Sequence, residues 1–171
     1  MKIRFEKISD HNKIEALTYQ AFENHPHHEP EANPTEHMII NKLRNNGTLS
    51  LSLVAEVETG IVGHIAFSPV TIGAVLANWY GLGPVSVSPS RQGEGIGSQL
   101  IEAGIAELKK QGAGGIVLLG EPGYYGRFGF KANKNLTLPG VPSEYFLIRS
   151  LANKENILSA GEVAYDTAFD G

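Results

Sequence analysis

The chain has 171 residues, 42% of them hydrophobic, with a formal charge of −4 and no cysteine. That length suits one packed core and is short for two ordinary domains, so a single domain is expected over 1–171. The absence of cysteine excludes a disulfide framework, a thiol nucleophile and a cysteine-ligated zinc. The net negative charge gives no general attraction to nucleic acid or anionic lipid, and neither is expected as a partner. Lys2, Arg4, Glu6 and Lys7 come too early for a secretory apolar region, and no apolar run approaches the ~18 residues of a membrane span. A cytoplasmic protein is expected.

Lys2 to Ile8 alternates, with Ile3, Phe5 and Ile8 as the apolar members. Ser9 or Asp10 can cap a helix whose buried face is Ile14, Leu17, Ala21 and Phe22. Residues 24–34 carry three prolines and three histidines and read as a loop. A second helix follows, with Met38, Ile39 and Leu43 inside and Gly47 at its end. Leu49, Leu51 and Leu53 alternate with serines, and Thr59-Gly60 turns the chain into Ile61–Phe67, a hairpin. A third antiparallel strand spans about Trp79 to Ser88. The helix from Gly95 to Gln111 ends in Lys109, Lys110 and Gly112, which suit a C-terminus. Ile116–Leu119 is continuously apolar, hence a central strand, and Tyr145–Arg149 is the last clear strand before a weakly patterned tail. Strands before the main helix and a strand–helix–strand crossover around it give an α/β chain with a mixed sheet and helices on both faces.

The most informative segment joins strand to helix. Gln92-Gly93-Glu94-Gly95-Ile96-Gly97-Ser98 follows Val85-Ser86-Val87 and Pro89. Alternating glycines let the backbone turn sharply and present N–H groups at a helix N-terminus, where the dipole also favours an anion such as a diphosphate. Glycine costs ~1 kcal/mol relative to alanine inside a helix, so three of them here suggest that something approaches the backbone closely. The spacing is neither a Walker loop nor a Rossmann fingerprint.

Val85-Ser86-Val87, Pro89 and Gln92-x-x-Gly95-x-Gly97 resemble the acyl-CoA-binding motif of the GNAT family of N-acetyltransferases. Tyr124-Tyr125-Gly126-Arg127-Phe128-Gly129-Phe130 resembles the family's Tyr-x-x-x-Gly-Phe signature, and Leu119–Tyr125 looks like its YhbS-like bacterial group. The resemblance implies the GNAT fold, with a mostly antiparallel sheet, a β4–α3–β5 crossover, and a fourth and fifth strand that splay apart around the cofactor's pantetheine arm. Pro84 and Gly83 fit a bulge or partly unpaired strand there. It also implies acetyl-CoA as co-substrate, held by Val85, Ser86, Val87, Gln92, Gly93, Glu94, Gly95, Ile96, Gly97 and Ser98. An amine of a small molecule or protein would attack the thioester directly, through an oxyanion that a backbone N–H can stabilise.

Tyr125 occupies the family's general-acid position and would protonate the departing thiolate. Tyr124 would point the other way, into packing or toward the adenine, and Arg127 reads as a surface or phosphate-side cation. The glutamate that several members carry in the fifth strand is replaced by Ile116–Leu119, so the general base stays open among Glu121, Glu56 and His64. His25, His27, His28 and Glu29 bring imidazole and carboxylate together, but a proline-interrupted spacing does not fix ligation geometry and no metal is expected. That segment reads instead as a lining of the acceptor site. Three alternatives stay in view: an acyl-CoA-binding sensor without turnover, a transferase using a longer acyl chain, and a homodimer through the C-terminal strands.

Overall fold

The computed structural model describes residues 1–23, 33–151 and 160–170. Strands β1 (Lys2–Phe5), β2 (Leu51–Val57), β3 (Gly60–Ile72) and β4 (Val75–Val87) are joined by α1 (His11–Phe22), α2 (Glu36–Asn46) and tight hairpins. Then come α3 (Ile96–Lys110), β5 (Gly115–Leu119), a single helical turn α4 (Pro122–Tyr125), β6 (Lys131–Ala132), β7 (Leu136–Thr137), β8 (Phe146–Ser150) and β9 (Gly161–Ala164). The sheet runs β1-β2-β3-β4-β5-β8-β6, and β9 adds to the far end of β3 while pairing β7. Along the main path every pair is antiparallel except β4 with β5, which the α3 crossover makes parallel. The expected mixed, mostly antiparallel sheet with helices on both faces is what the chain forms.

Both faces of the sheet are covered, which is why Leu51–Ala55 is buried without a break rather than at alternate positions. On one face Phe67, Ile116 and Leu118 meet Leu100, Ile101 and Leu108 of α3. Gly104 permits that contact, since a Cβ there would lie 2.4 Å from a ring carbon of Phe67. On the other face α1 and α2 set Ile14 and Ile40 on Val54, and β7 and β9 help close a second cluster of Val70, Trp79, Val117 and Phe146.

Four expectations shift. The buried pair of α2 is Ile40 and Leu43, while Met38 is 44% exposed. Three consecutive apolar residues cannot fix a helix's phase, and contact with Ile14 and Val54 settles it. Asp10 stands at the N-cap of α1 without a side-chain cap bond. Its carboxylate instead accepts from Arg4 Nη1 at 2.7 Å and from the Lys7 amide. β4 begins at Val75, after a turn at Gly73-Ala74, with Val75 and Leu76 exposed at its tip. Finally, the weakly patterned tail contains β9.

Candidate active site

β4 and β5 pair over Trp79–Gly81 and Gly115–Val117 and then diverge. The β3–β4 register slips between Ile65 and Phe67, opposite Val85 and Leu82, so Gly83 and Pro84 form the expected bulge. The divergence opens a cleft of two joined cavities, about 710 and 740 Å³, that share Phe22, Val85, Tyr124 and Tyr125. One cavity reaches Gln92 and Gly97 at the start of α3; the other reaches Leu82, Leu119 and Glu121.

At the α3 end, Gly93 and Gly95 have φ of +82° and +84°, a left-handed backbone that side chains disfavour. The first N–H groups of α3 lack intrahelical acceptors, and the helix dipole adds positive potential there. Gly97 sits beside Val87 and the Tyr124 hydroxyl, each 3.7 Å from where a Cβ would stand. Gln92 Nε2 donates to the Val87 carbonyl at 3.2 Å, tying the turn to the end of β4. Glu94, a carboxylate beside an anion socket, is neutralised by Arg91 at 2.9 Å.

Of the residues singled out in the sequence, Val85, Ser86, Val87, Gln92 and Gly97 line the cleft together with Tyr125. Gly93, Glu94 and Gly95 form the exposed turn above it. Ser98 Oγ lies 3.4 Å from the Tyr124 hydroxyl. The side chain of Ile96 is buried in the α3 core, which leaves only its backbone N–H for a ligand.

Tyr125 stands on the single turn α4, its ring against Gly120, where a Cβ would fall 2.4 Å from a ring atom. Burial, with a smaller contribution from Tyr124, pushes its hydroxyl up to about 12, so it carries its proton at neutral pH. Tyr124 does not turn away from Tyr125 as expected for a strand or loop. In a helical turn consecutive side chains are only roughly 100° apart, and both tyrosines line the cleft with ring centroids 4.9 Å apart, edge to face. Arg127 lies 4.7 Å over the Tyr124 ring and donates to its carbonyl.

Among the base candidates, Glu121 lies at the cleft mouth. Glu56 is drawn to Arg4 at 3.0 Å, on the side of β2 that pairs with β1. His64 is fully buried on β3, opposite Ser86 of β4. The His25–Glu29 cluster lies outside the described residues. Among the described residues no group of side chains is arranged to hold a metal ion, and no helix is long and apolar enough to cross a membrane.

One part of the site had no motif to announce it. Where β4 and β5 diverge, a cavity of about 920 Å³ shares Leu82 and Leu119 with the cleft. Its outer wall is Leu138, Glu162, Tyr165, Phe169 and Asp170, mostly from the tail. Tyr165 packs over Gly81, the last β4 residue paired with β5, and burial raises its hydroxyl well above the ordinary tyrosine range. The only hint in the sequence is the short alternation Glu162-Val163-Ala164-Tyr165.

Residues 49–132 match the family model for the acetyltransferase (GNAT) domain. Over 175 aligned residues the chain is 33% identical to the uncharacterized N-acetyltransferase YhbS of Escherichia coli K12, covering 99% of each protein. A solved GNAT acetyltransferase from Brucella melitensis, in complex with acetyl-CoA, is 46% identical and superimposes with a TM-score of 0.85, over 99% of this chain and 97% of the other. The crystal structure of Escherichia coli YhbS with CoA is 31% identical, with a TM-score of 0.88 over 99% and 92%.

Proposed function

The chain belongs to the GNAT family of acetyltransferases, and from that premise we propose that it moves an acetyl group from acetyl-CoA to a primary amine within a ternary complex. The observation that carries this reading is the cleft itself. It runs from an anion-accepting helix start, past an open strand edge, to a protonated tyrosine. The residues fit the co-substrate. The N–H groups at the start of α3 suit a diphosphate, and Gly97 leaves the wall open to an extended chain. The edge of β4 past Gly81, where no described strand pairs on the β5 side, offers main-chain groups to the amides of pantetheine.

Acetyl-CoA supplies an activated thioester. The chain's own residues orient it between β4 and β5 and leave the amine a line of approach. Tyr125, with its proton held by burial, donates to the leaving sulfur. Titration calorimetry with acetyl-CoA, followed by thiol release across amines, polyamines, aminoglycosides, amino acids and peptides, tests the reading. Binding with amine-dependent release supports it. Binding without release across the whole panel would favour the sensor.

The acceptor is read from the cavity that meets the cleft at Leu82 and Leu119. Apolar walls with Glu162 and Asp170, and no Lys, Arg or His among its described lining residues, suit an amine on an apolar body that carries positive charge. Exchanging both carboxylates, Glu162→Gln with Asp170→Asn, is expected to raise KM for cationic acceptors about three- to tenfold, as for partly exposed charge pairs, with kcat little changed. An unchanged KM across the cationic acceptors would remove this cavity from the acceptor path.

A further inference from the structure

A line of polar side chains runs from the end of β1 across three strands on the α1–α2 face of the sheet and ends at the cleft. Glu6 follows β1, Ser52 is on β2, His64 on β3 and Ser86 on β4. Ser52 Oγ lies 2.5 Å from Glu6 Oε1 and 2.7 Å from His64 Nε2. His64 stands directly opposite Ser86 in the β3–β4 register, and Ser86 forms part of the cleft wall. Ser52, His64 and Ser86 are 7%, 0% and 2% exposed.

The bonding order along this line follows from proton counting. Burial opposes ionisation of Glu6, but hydrogen bonds from Arg44 and Ser52 outweigh it and hold the carboxyl below its usual range. An ionised carboxylate only accepts, so the single Ser52 hydroxyl proton points to Glu6. Ser52 can then only accept from His64, which places the imidazole proton on Nε2 and leaves the Nδ1 lone pair facing away from Ser52. Nδ1 of His64 and Oγ of Ser86 are both buried without a partner among the described residues. Leaving such a group unpaired is ordinarily costly, so two of them opposite one another call for a reason.

We propose that Glu6, Ser52, His64 and Ser86 form a proton relay that deprotonates the acceptor amine, with His64 acting through the Ser86 hydroxyl. The inference rests on the transferase reading above. With Ser86 turning about its Cα–Cβ bond, or with one bridging water, the ammonium N–H proton passes to Ser86 Oγ while the Ser86 hydroxyl proton moves to His64 Nδ1. The amine is left neutral and His64 becomes an imidazolium; no other bond changes. The new charge is stabilised through Ser52 by the Glu6 carboxylate, itself held by Arg44 at 2.9 Å and His11 at 3.0 Å. Burial keeps His64 neutral at rest, its value pushed down to about 4; Glu6 and Asp10 oppose that shift and Arg44 adds to it. It is therefore free to accept across the physiological range and, as a weak base, passes a proton on: the Nε2 proton moves to Ser52 Oγ as the Ser52 hydroxyl proton moves to Glu6 Oε1, and the partly exposed Glu6 releases it to solvent. His64 and Ser52 are positioning residues in this scheme, and Ser86 alone meets substrate.

The test is the pH profile of kcat/KM, over pH ~6–10, for wild type, His64→Gln and Ser86→Ala with an acceptor found by thiol release. A base is dispensable once the amine loses its proton to solvent. Both variants should therefore fall about 100-fold at pH 7 and converge on wild type above the acceptor's own pKa. Ser86→Ala leaves the His64–Ser52 contact in place and stands in if His64→Gln does not fold. A deficit that is constant across pH, or none at all, overturns the relay while leaving the transferase standing. A wild-type protein that binds acetyl-CoA but releases no thiol with any amine overturns the transferase reading, and the relay with it.

Discussion

Changing Tyr125 to Phe is expected to lower kcat about 100-fold, the lower end of what a positioned general acid contributes, and to leave the acetyl-CoA dissociation constant where it was. The geometry sets these two expectations apart. The ring is fixed by Gly120 below it and by Tyr124, Phe128 and Phe130 around it, and phenylalanine preserves each of those contacts. Only the hydroxyl is lost, together with the proton that burial holds there to about 12. Calorimetry alongside steady-state thiol release separates the outcomes. A parallel loss of affinity and turnover would make Tyr125 a binding residue and remove it from the acid role.

Gly97→Val should give the opposite pattern. Gly97 lies on the cleft wall with ordinary helical geometry, so a side chain there adds no backbone strain, and a Cβ clears Val87 and Tyr124 by 3.7 Å. The two methyl groups beyond that Cβ project into the space between the helix start and Tyr124. Overfilling a packed site costs ~1–3 kcal/mol, which corresponds to an acetyl-CoA affinity about 5- to 150-fold weaker. The melting temperature without ligand should stay near wild type, and that measurement distinguishes a blocked cleft from a damaged fold. Unaltered affinity would sever the glycine turn from cofactor binding.

Much of this was legible in the residues. The turn from Gln92 to Ser98 could be read because its left-handed backbone at Gly93 and Gly95 demands glycine, and glycine is visible in a sequence. The β2–β3 hairpin and α3 were legible because their periodicities are clean. What escaped depends on contacts distant in sequence. The phase of α2 is set by Ile14 and Val54, and Tyr124 lines the cleft because residues 122–125 close a helical turn rather than extend. β9 has only four residues and gains its partners from β3 and β7. The polar line from Glu6 to Ser86 was hidden for the same reason. Its members lie scattered over eighty positions, and only the strand register sets His64 opposite Ser86.

The early divergence of β4 from β5 has a consequence for the lifetime of the protein. Past Gly81 no described strand pairs with the edge of β4 toward β5, and in the binding mode proposed above an occupant of the cleft would take the place of that missing neighbour. A ligand that binds only the folded chain stabilises it by RT ln(1 + [L]/Kd), about 2.7 kcal/mol when its concentration is a hundred times Kd. The seam between the two strands should therefore open most often when the acetyl donor is scarce, exposing β4 to proteases. Metabolic supply would in this way regulate how much of the enzyme survives as well as how fast it works.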